Sequence, residues 1–191
     1  SQTDKENLSF KPLYNFEGRY FLKDILEDIY ASTVWFPPIR IYKKSIWDGV
    51  RFPVNKCYAE DAMTVPEVFS NSMTIFYINK PLYGYRYNSN SVTSNHSNEH
   101  LQNMIEFYWS IGKDKSVNRI HKVRIARGIS FFVKELKIDQ DRYFEIRKDL
   151  TSLNLSLATK LKLPLPDLIY FLIPTIYDFL NTLRLRINKE F

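Results

Sequence analysis

The 191 residues are 45% hydrophobic and 25% charged, as in an ordinary globular domain, which excludes a disordered chain, a collagen-like chain and a disulfide scaffold. The length is enough to bury a core without staples, and it suits one domain or one domain with an appendage. Residues 1–94 carry 11 Lys and Arg against 10 Asp and Glu, whereas residues 95–191 carry 16 against 11, so most of the net charge of +6 lies in the second half. Aromatic residues are many, with 13 Tyr, 14 Phe and 3 Trp. Five glycines are few for a complete nucleotide-binding domain, because phosphate loops need backbone without Cβ. The one cysteine, Cys57, allows no intrachain disulfide and fits a reducing compartment. Ser1–Glu6 is polar, lacks the apolar core of a secretory signal and reads as the start of an expressed fragment. The longest uncharged apolar run near the C-terminus is Leu168–Tyr177, too short for the ~20 residues that span a bilayer.

In chain order, Tyr20–Tyr30 has apolar residues at helical spacing, with Lys23, Asp24, Glu27 and Asp28 on the other side. Thr33–Phe36 reads as extended and runs into Pro37-Pro38. Ile39–Trp47 reads as a short strand and a turn, and Asp48-Gly49 as a turn. Glu60–Phe69 is predicted as a helix opened by acidic residues. Met73–Ile78 and Leu82–Tyr87 are β-rich and read as a hairpin or adjacent strands. The Ser/Asn-rich stretch Asn88–Asn98 is a loop and a boundary. Beyond it the chain reads as helical: Glu99–Ile111, Asn118–Leu136, Asp141–Thr159 and Asp167–Ile187, the last kinked at Pro174. The expected class is α+β, with a mixed helix-and-strand region over 1–94 and a helical extension over 95–191.

Five separated pieces carry the chemistry. They are Trp35; Ile41-Tyr42-Lys43-Lys44-Ser45-Ile46; Val50-Arg51-Phe52-Pro53; Tyr58-Ala59-Glu60-Asp61; and Lys80-Pro81-Leu82-Tyr83-Gly84-Tyr85-Arg86-Tyr87 with Asn90-Ser91-Val92. In this order and spacing they resemble the second half of bacterial family 2 glycosyltransferases, over roughly residues 16–94. The resemblance implies a partial GT-A fold. It also implies inverting transfer of a sugar from a nucleotide-sugar to a glycan or lipid-linked acceptor, in cell-surface polysaccharide synthesis. The family's metal-binding D-x-D ends its first half. Here the one D-x-D, Asp139-Gln140-Asp141, lies downstream of the Glu60-Asp61 pair, in the wrong order. The donor half, with its Mg²⁺ or Mn²⁺, is therefore expected outside this chain, and no metal is expected within it.

By the resemblance Asp61 is the catalytic base, because the acceptor hydroxyl must lose a proton as it attacks and a carboxylate can take it. Glu60 contacts the acceptor or caps the helix. Trp35 forms an acceptor wall or belongs to the core. Tyr83 and Arg86 belong to the family's acceptor-side signature, in which Gly84 replaces the usual middle residue. Arg86 faces a phosphate or makes an ion pair with Asp61 or Glu60.

Two further patterns have plainer readings. His96-Ser97-Asn98-Glu99-His100 matches a metallopeptidase pattern, but no third ligand is evident, and it reads as a solvated helix start. Arg119, Lys122, Arg124 and Arg127 read first as a solvated face and next as a surface for an anionic membrane. No nucleic-acid motif accompanies them, so no nucleic-acid partner is expected. The protein is expected in the cytoplasm, peripheral at the inner face of the cell membrane. Its last helical stretch is expected either to pack on the other helices or to present its aromatic side to lipid. A severed half-domain would expose apolar surface that favours a homodimer. The competing reading is a non-enzymatic α-helical interaction module, and a D-x-D-bearing α/β half upstream would decide against it.

Overall fold

The computed structural model describes residues 17–32, 34–56, 58–80, 82–84, 97–137 and 140–187, with side chains described to residue 180. The fold is α+β and mostly helical. Strand β1 (Gly18–Phe21) leads directly into helix α1 (Leu22–Ser32). Two short 3-10 turns follow, Pro37–Ile39 and Lys44–Trp47, then helix α2 (Glu60–Ser70) and strand β2 (Thr74–Tyr77). Helices α3 (Asn98–Ser110), α4 (Ser116–Leu136), α5 (Gln140–Thr151), α6 (Leu157–Lys162), α7 (Leu165–Leu172) and α8 (Pro174–Ile187) complete the order.

Several boundaries differ from the sequence expectation. Tyr20 and Phe21 belong to a strand and not to α1, as suits aromatic residues on a pleated surface. The second strand of the pair expected over 73–78 and 82–87, a hairpin or adjacent strands, lies partly outside the described residues; the partner seen for β2 is β1. The two pair antiparallel, in the register Gly18↔Tyr77 to Phe21↔Thr74, and Leu22 N–H donates to Met73 O at 2.9 Å. Leu82–Gly84 has no regular structure, and 85–87 lie outside the described residues, as does most of the loop Asn88–Asn98. The distant pairing lets Tyr20 and Ile75 cover the core beside α1. Where a strand was expected over 39–47, Pro37 and Pro38 open a 3-10 turn, their fixed φ suiting its first positions. The third expected helix divides at Thr151. Leu153 and Leu155 are buried from the irregular segment between the two helices, and the Ser156 hydroxyl accepts the Thr159 N–H at 3.1 Å to start α6.

One core joins residues from both sides of the 88–98 loop. Leu22, Ile25, Ile29, Trp35, Val65 and Phe69 pack into the same cluster as Leu101, Ile105, Ile120, Val123, Ile129 and Ile146. Helix α4 is its axis, touching α1, α3, α5 and α7, so it is buried on most of its circumference and not on the single face that Val123, Ala126, Ile129 and Val133 suggest.

The Arg119–Arg127 cluster is correspondingly not a solvated face. Lys122 is 2% exposed, and its ammonium donates to Tyr108 O at 2.9 Å and lies 3.5 Å from Asp149. Arg119 donates to Lys113 O and Asn154 O, both at 2.7 Å. Arg124 and Arg127 both hold the fully buried Asp167 of α7, the latter at 2.6 Å from its Nε. These cations tie α4 to α5, α7 and the loops between.

His121 sits inside the core, its ring 5.3 Å from Tyr30, 5.5 Å from Trp35 and 5.3 Å from Phe107. Burial, with a smaller push from Arg124, pulls its pKa from 6.5 down to about 3. The unfolded chain therefore binds a proton below pH 6.5 that the folded chain refuses until about pH 3. Stability is full above pH 6.5 and falls as the pH drops through that window, by at most about 1.4 kcal/mol per pH unit. Urea unfolding at pH 7.5 and 4.5 is expected to differ by about 2–3 kcal/mol, a difference that His121→Leu largely removes. An unchanged difference in the variant would assign the acid sensitivity to other groups.

Candidate functional site

The Glu60-Asp61 pair occupies the first turn of α2, half-buried. The turn into the helix is unusual. Ala59, at the N-cap, has φ +61°, the left-handed region, which costs a residue with a Cβ about 1–3 kcal/mol. No side chain caps the helix there, and the Asp61 carboxylate accepts the Ala62 N–H at 2.7 Å. Thr64 donates its hydroxyl to Glu60 O at 2.7 Å. Ala62, Val65, Val68 and Phe69 fix the other side of α2 in the core.

Two tyrosines share the surroundings of Asp61. The Tyr42 hydroxyl is buried and makes no hydrogen bond of full geometry. Burial raises its pKa, Arg40 pulls it down, and the Asp61 carboxylate adds to the rise. Burial also raises Tyr58, and the carboxylates of Asp61, Glu135 and Glu60 raise it further. Both phenols therefore keep their protons at neutral pH. The Tyr58 ring stacks on His100 at 4.9 Å and meets Phe132 edge-on at 5.2 Å, which fixes it against α3 and α4.

Arg40 organises the neighbouring loop. It donates to Phe36 O at 2.9 Å and to Val34 O, and its guanidinium lies 5.4 Å from the Phe69 ring centre. Arg40, Tyr42 and Tyr58 were not singled out as site residues in the sequence. The two tyrosines lie within the quoted motif pieces, but Arg40 carries no signal beyond following Pro-Pro-Ile.

The sequence-predicted residues are only partly brought together. Trp35 is 4% exposed, ringed by Tyr30 at 4.9 Å, Phe69 at 6.0 Å and His121. It thus meets the C-terminal end of α2, about 12 Å along the helix from Asp61, and it lies in the core, with no ring face open to a sugar. Tyr83 is half-exposed and packs edge-on against Phe36 at 5.6 Å, so it joins the loop that Arg40 holds. Arg86 lies outside the described residues. So does His96, while His100 is buried at the start of α3, where Ser97 accepts its N–H at 3.3 Å. The helix start was expected there, but His100 is not solvated. Among the described residues no group of three or more His, Cys, Asp or Glu is placed to hold a metal ion.

The head of α2 thus offers a half-buried carboxylate pair with Tyr42 and Tyr58 in its electrostatic surroundings. That set can orient hydroxyl groups and accept one proton. Compared with known proteins, the chain matches no family model, no curated protein and no solved structure.

Proposed function

We propose that this chain is the acceptor-side region of an inverting glycosyltransferase similar to bacterial family 2, with a partial GT-A fold, that moves a sugar from a nucleotide-sugar to a glycan or lipid-linked acceptor in cell-surface polysaccharide synthesis. The observation that carries this reading is the half-buried Glu60-Asp61 pair at the start of α2, behind the left-handed turn at Ala59, with Tyr42 and Tyr58 in its electrostatic surroundings. In the reaction the acceptor oxygen attacks the anomeric carbon as the bond to the donor phosphate breaks. The leaving nucleoside diphosphate keeps that electron pair, and the acceptor's proton passes to Asp61. Glu60 and the tyrosines orient the acceptor. The diphosphate and its Mg²⁺ or Mn²⁺ belong to a donor half outside this chain.

The sheet is consistent with a partner half. Arg19, Phe21, Thr74 and Phe76 share one side of it, and Ile78 continues that side. Phe21, Phe76 and Ile78 are exposed there. Such a face suits burial against further structure, from the donor half or from a second copy of this chain. Nucleotide-sugar chemistry of this kind implies a cytoplasmic enzyme.

The test is release of nucleoside diphosphate by the enzyme carrying its donor half, across UDP- and GDP-sugars. Acceptor-dependent release that EDTA abolishes is expected. Residues 1–191 alone are expected to bind neither donor by calorimetry with Mn²⁺ or Mg²⁺ present. Micromolar donor binding by 1–191, or no transfer across the panel, would overturn the reading.

A further inference from the structure

Arg119 differs from the other cations of α4. Lys122 meets Asp149, Arg124 and Arg127 share Asp167, and Lys134 meets Asp178 of α8. Those last contacts, with Tyr170 and Tyr177 turned toward the core, make the aromatic side of α7 and α8 a packed side and not one free for lipid. Arg119 forms no ion pair with a carboxylate among the described residues. Its Nε donates to Lys113 O and one Nη to Asn154 O, both at 2.7 Å. Two neutral carbonyls thus fix the plane of the guanidinium and leave its charge unmatched, and three of its five N–H groups are not spent on them. The same side chain lines a surface cavity of about 290 Å³ with Ser116, Asn154, Leu155, Ser156 and Thr159. No acidic side chain is in that lining. The hydroxyls of Ser156 and Thr159 lie 2.8 Å apart, so one donates to the other and one proton of the pair is left for a ligand. Ser116 is engaged by Glu27, whose pKa that hydrogen bond lowers, and Lys162 at 3.3 Å offsets the Glu27 charge.

We propose that this cavity binds a phosphate group, as the free ion or on a small phosphomonoester, with Arg119 as its counter-charge. A guanidinium held in place before the ligand arrives loses little freedom on binding, and its fork suits phosphate oxygens. The remaining donors come from separate segments: the Asn154 amide from the stretch before α6, and the Ser156–Thr159 hydroxyl pair from the start of α6. A tetrahedral anion presents oxygens in several directions and can use donors from several sides, whereas a planar carboxylate is satisfied by one fork. The volume lies at the small end of ligand cavities, which suits a phosphate with a short organic residue and not an extended chain. None of the lining residues belongs to α2, and the inference does not rest on the transferase reading.

The experiment is titration of ¹⁵N-labelled residues 1–191 with sodium phosphate, followed by NMR of the backbone amides and the Arg119 Nε–H, against sodium chloride at equal ionic strength. Saturable shifts are expected at Ser116, Arg119 and residues 154–159, with a Kd of about 1 mM or tighter, and none of them with chloride. Glycerol phosphate and acetate are titrated in parallel. Tighter binding of glycerol phosphate than of inorganic phosphate assigns the site to a phosphomonoester, equal binding assigns it to the free ion, and acetate is expected to bind at least tenfold more weakly than either. Arg119→Gln is expected to lose the binding, but it also removes the bonds to Lys113 O and Asn154 O. Ser156→Asp is therefore the second variant. Aspartate is as good an N-cap as serine for the Thr159 N–H, so Tm in chloride is expected to be unchanged, while a carboxylate in the cavity reduces phosphate affinity at least tenfold. Shifts that never saturate, saturable shifts that map elsewhere, acetate binding as tight as phosphate, or undiminished phosphate binding by Ser156→Asp would each overturn the proposal.

Discussion

Replacing Asp167 with alanine is expected to destabilise the protein by about 3–5 kcal/mol. The reason is the asymmetry of a buried ionic triad. Asp167 is fully buried at the start of α7, and its two oxygens are held by Arg124 and Arg127 of α4. Arg124 also reaches Ser32 O at 3.5 Å, and Arg127 the Tyr177 hydroxyl at 3.5 Å. Asp167 therefore neutralises two guanidinium groups that link α1, α4, α7 and α8. Removing it takes from two partly buried guanidinium groups the carboxylate that holds both, a larger effect than losing either arginine alone. Asp167→Asn keeps the shape and removes the charge, so it should fall only slightly short of alanine. For a chain of this size the loss corresponds to a drop in Tm of about 6–20 °C. Thermal and urea unfolding measure it, and a double-mutant cycle with Arg127→Ala isolates the pair. A loss below about 1 kcal/mol would mean that water or other groups replace the aspartate, and that the triad does not hold α7 to α4.

The same triad shows what the sequence conceals. Arg119, Lys122, Arg124 and Arg127 fall at helical spacing, and spacing alone cannot tell a solvated face from cations that meet Asp149 and Asp167, some 30–40 residues downstream. Elements governed by local periodicity were legible: α1, α2, α3 and α4 start and stop within a few residues of their apolar patterns. What depended on distant partners was not. The β2 pattern announces a strand but not that its neighbour lies at Gly18–Phe21, because local turn signals at 79–81 favour a nearer one. Ser156 is a good N-cap, yet no Gly or Pro stands between Thr151 and Leu157 to mark the end of α5, so the break was hidden. At the candidate site, the acidic pair at the head of a helix was legible, whereas the part of Arg40 was not, since its value lies in reaching back to Val34 and Phe36 and across to Phe69. Trp35 was evenly wall or core in sequence. Its burial depends on Tyr30, Phe69 and His121 arriving from three separate helices.

On the transferase reading proposed above, Asp61→Asn is expected to lower turnover by about 100- to 10,000-fold while leaving donor binding nearly intact. The substitution is chosen for what it preserves. Asparagine keeps an oxygen that can accept the Ala62 N–H now held by Asp61 at 2.7 Å, so the first turn of α2 retains its local bond. The helix loses a negative charge near its N-terminus, worth only about 0.3–1 kcal/mol at a half-exposed position. A large fall in kcat therefore cannot be assigned to unfolding, and thermal denaturation beside the assay checks this. What asparagine cannot do is accept the acceptor's proton. Glu60→Gln separates the two members of the pair: it is expected to raise KM for the acceptor more than it lowers kcat, because in the proposed reaction Glu60 orients and Asp61 takes the proton. Tyr42→Phe and Tyr58→Phe, which remove the two phenolic hydroxyls near Asp61, should fall between wild type and Asp61→Asn. If Asp61→Asn keeps most of its turnover and Glu60→Gln loses it, the base is Glu60. If both keep it, the head of α2 is a structural turn, and the strain at Ala59 serves packing and not chemistry.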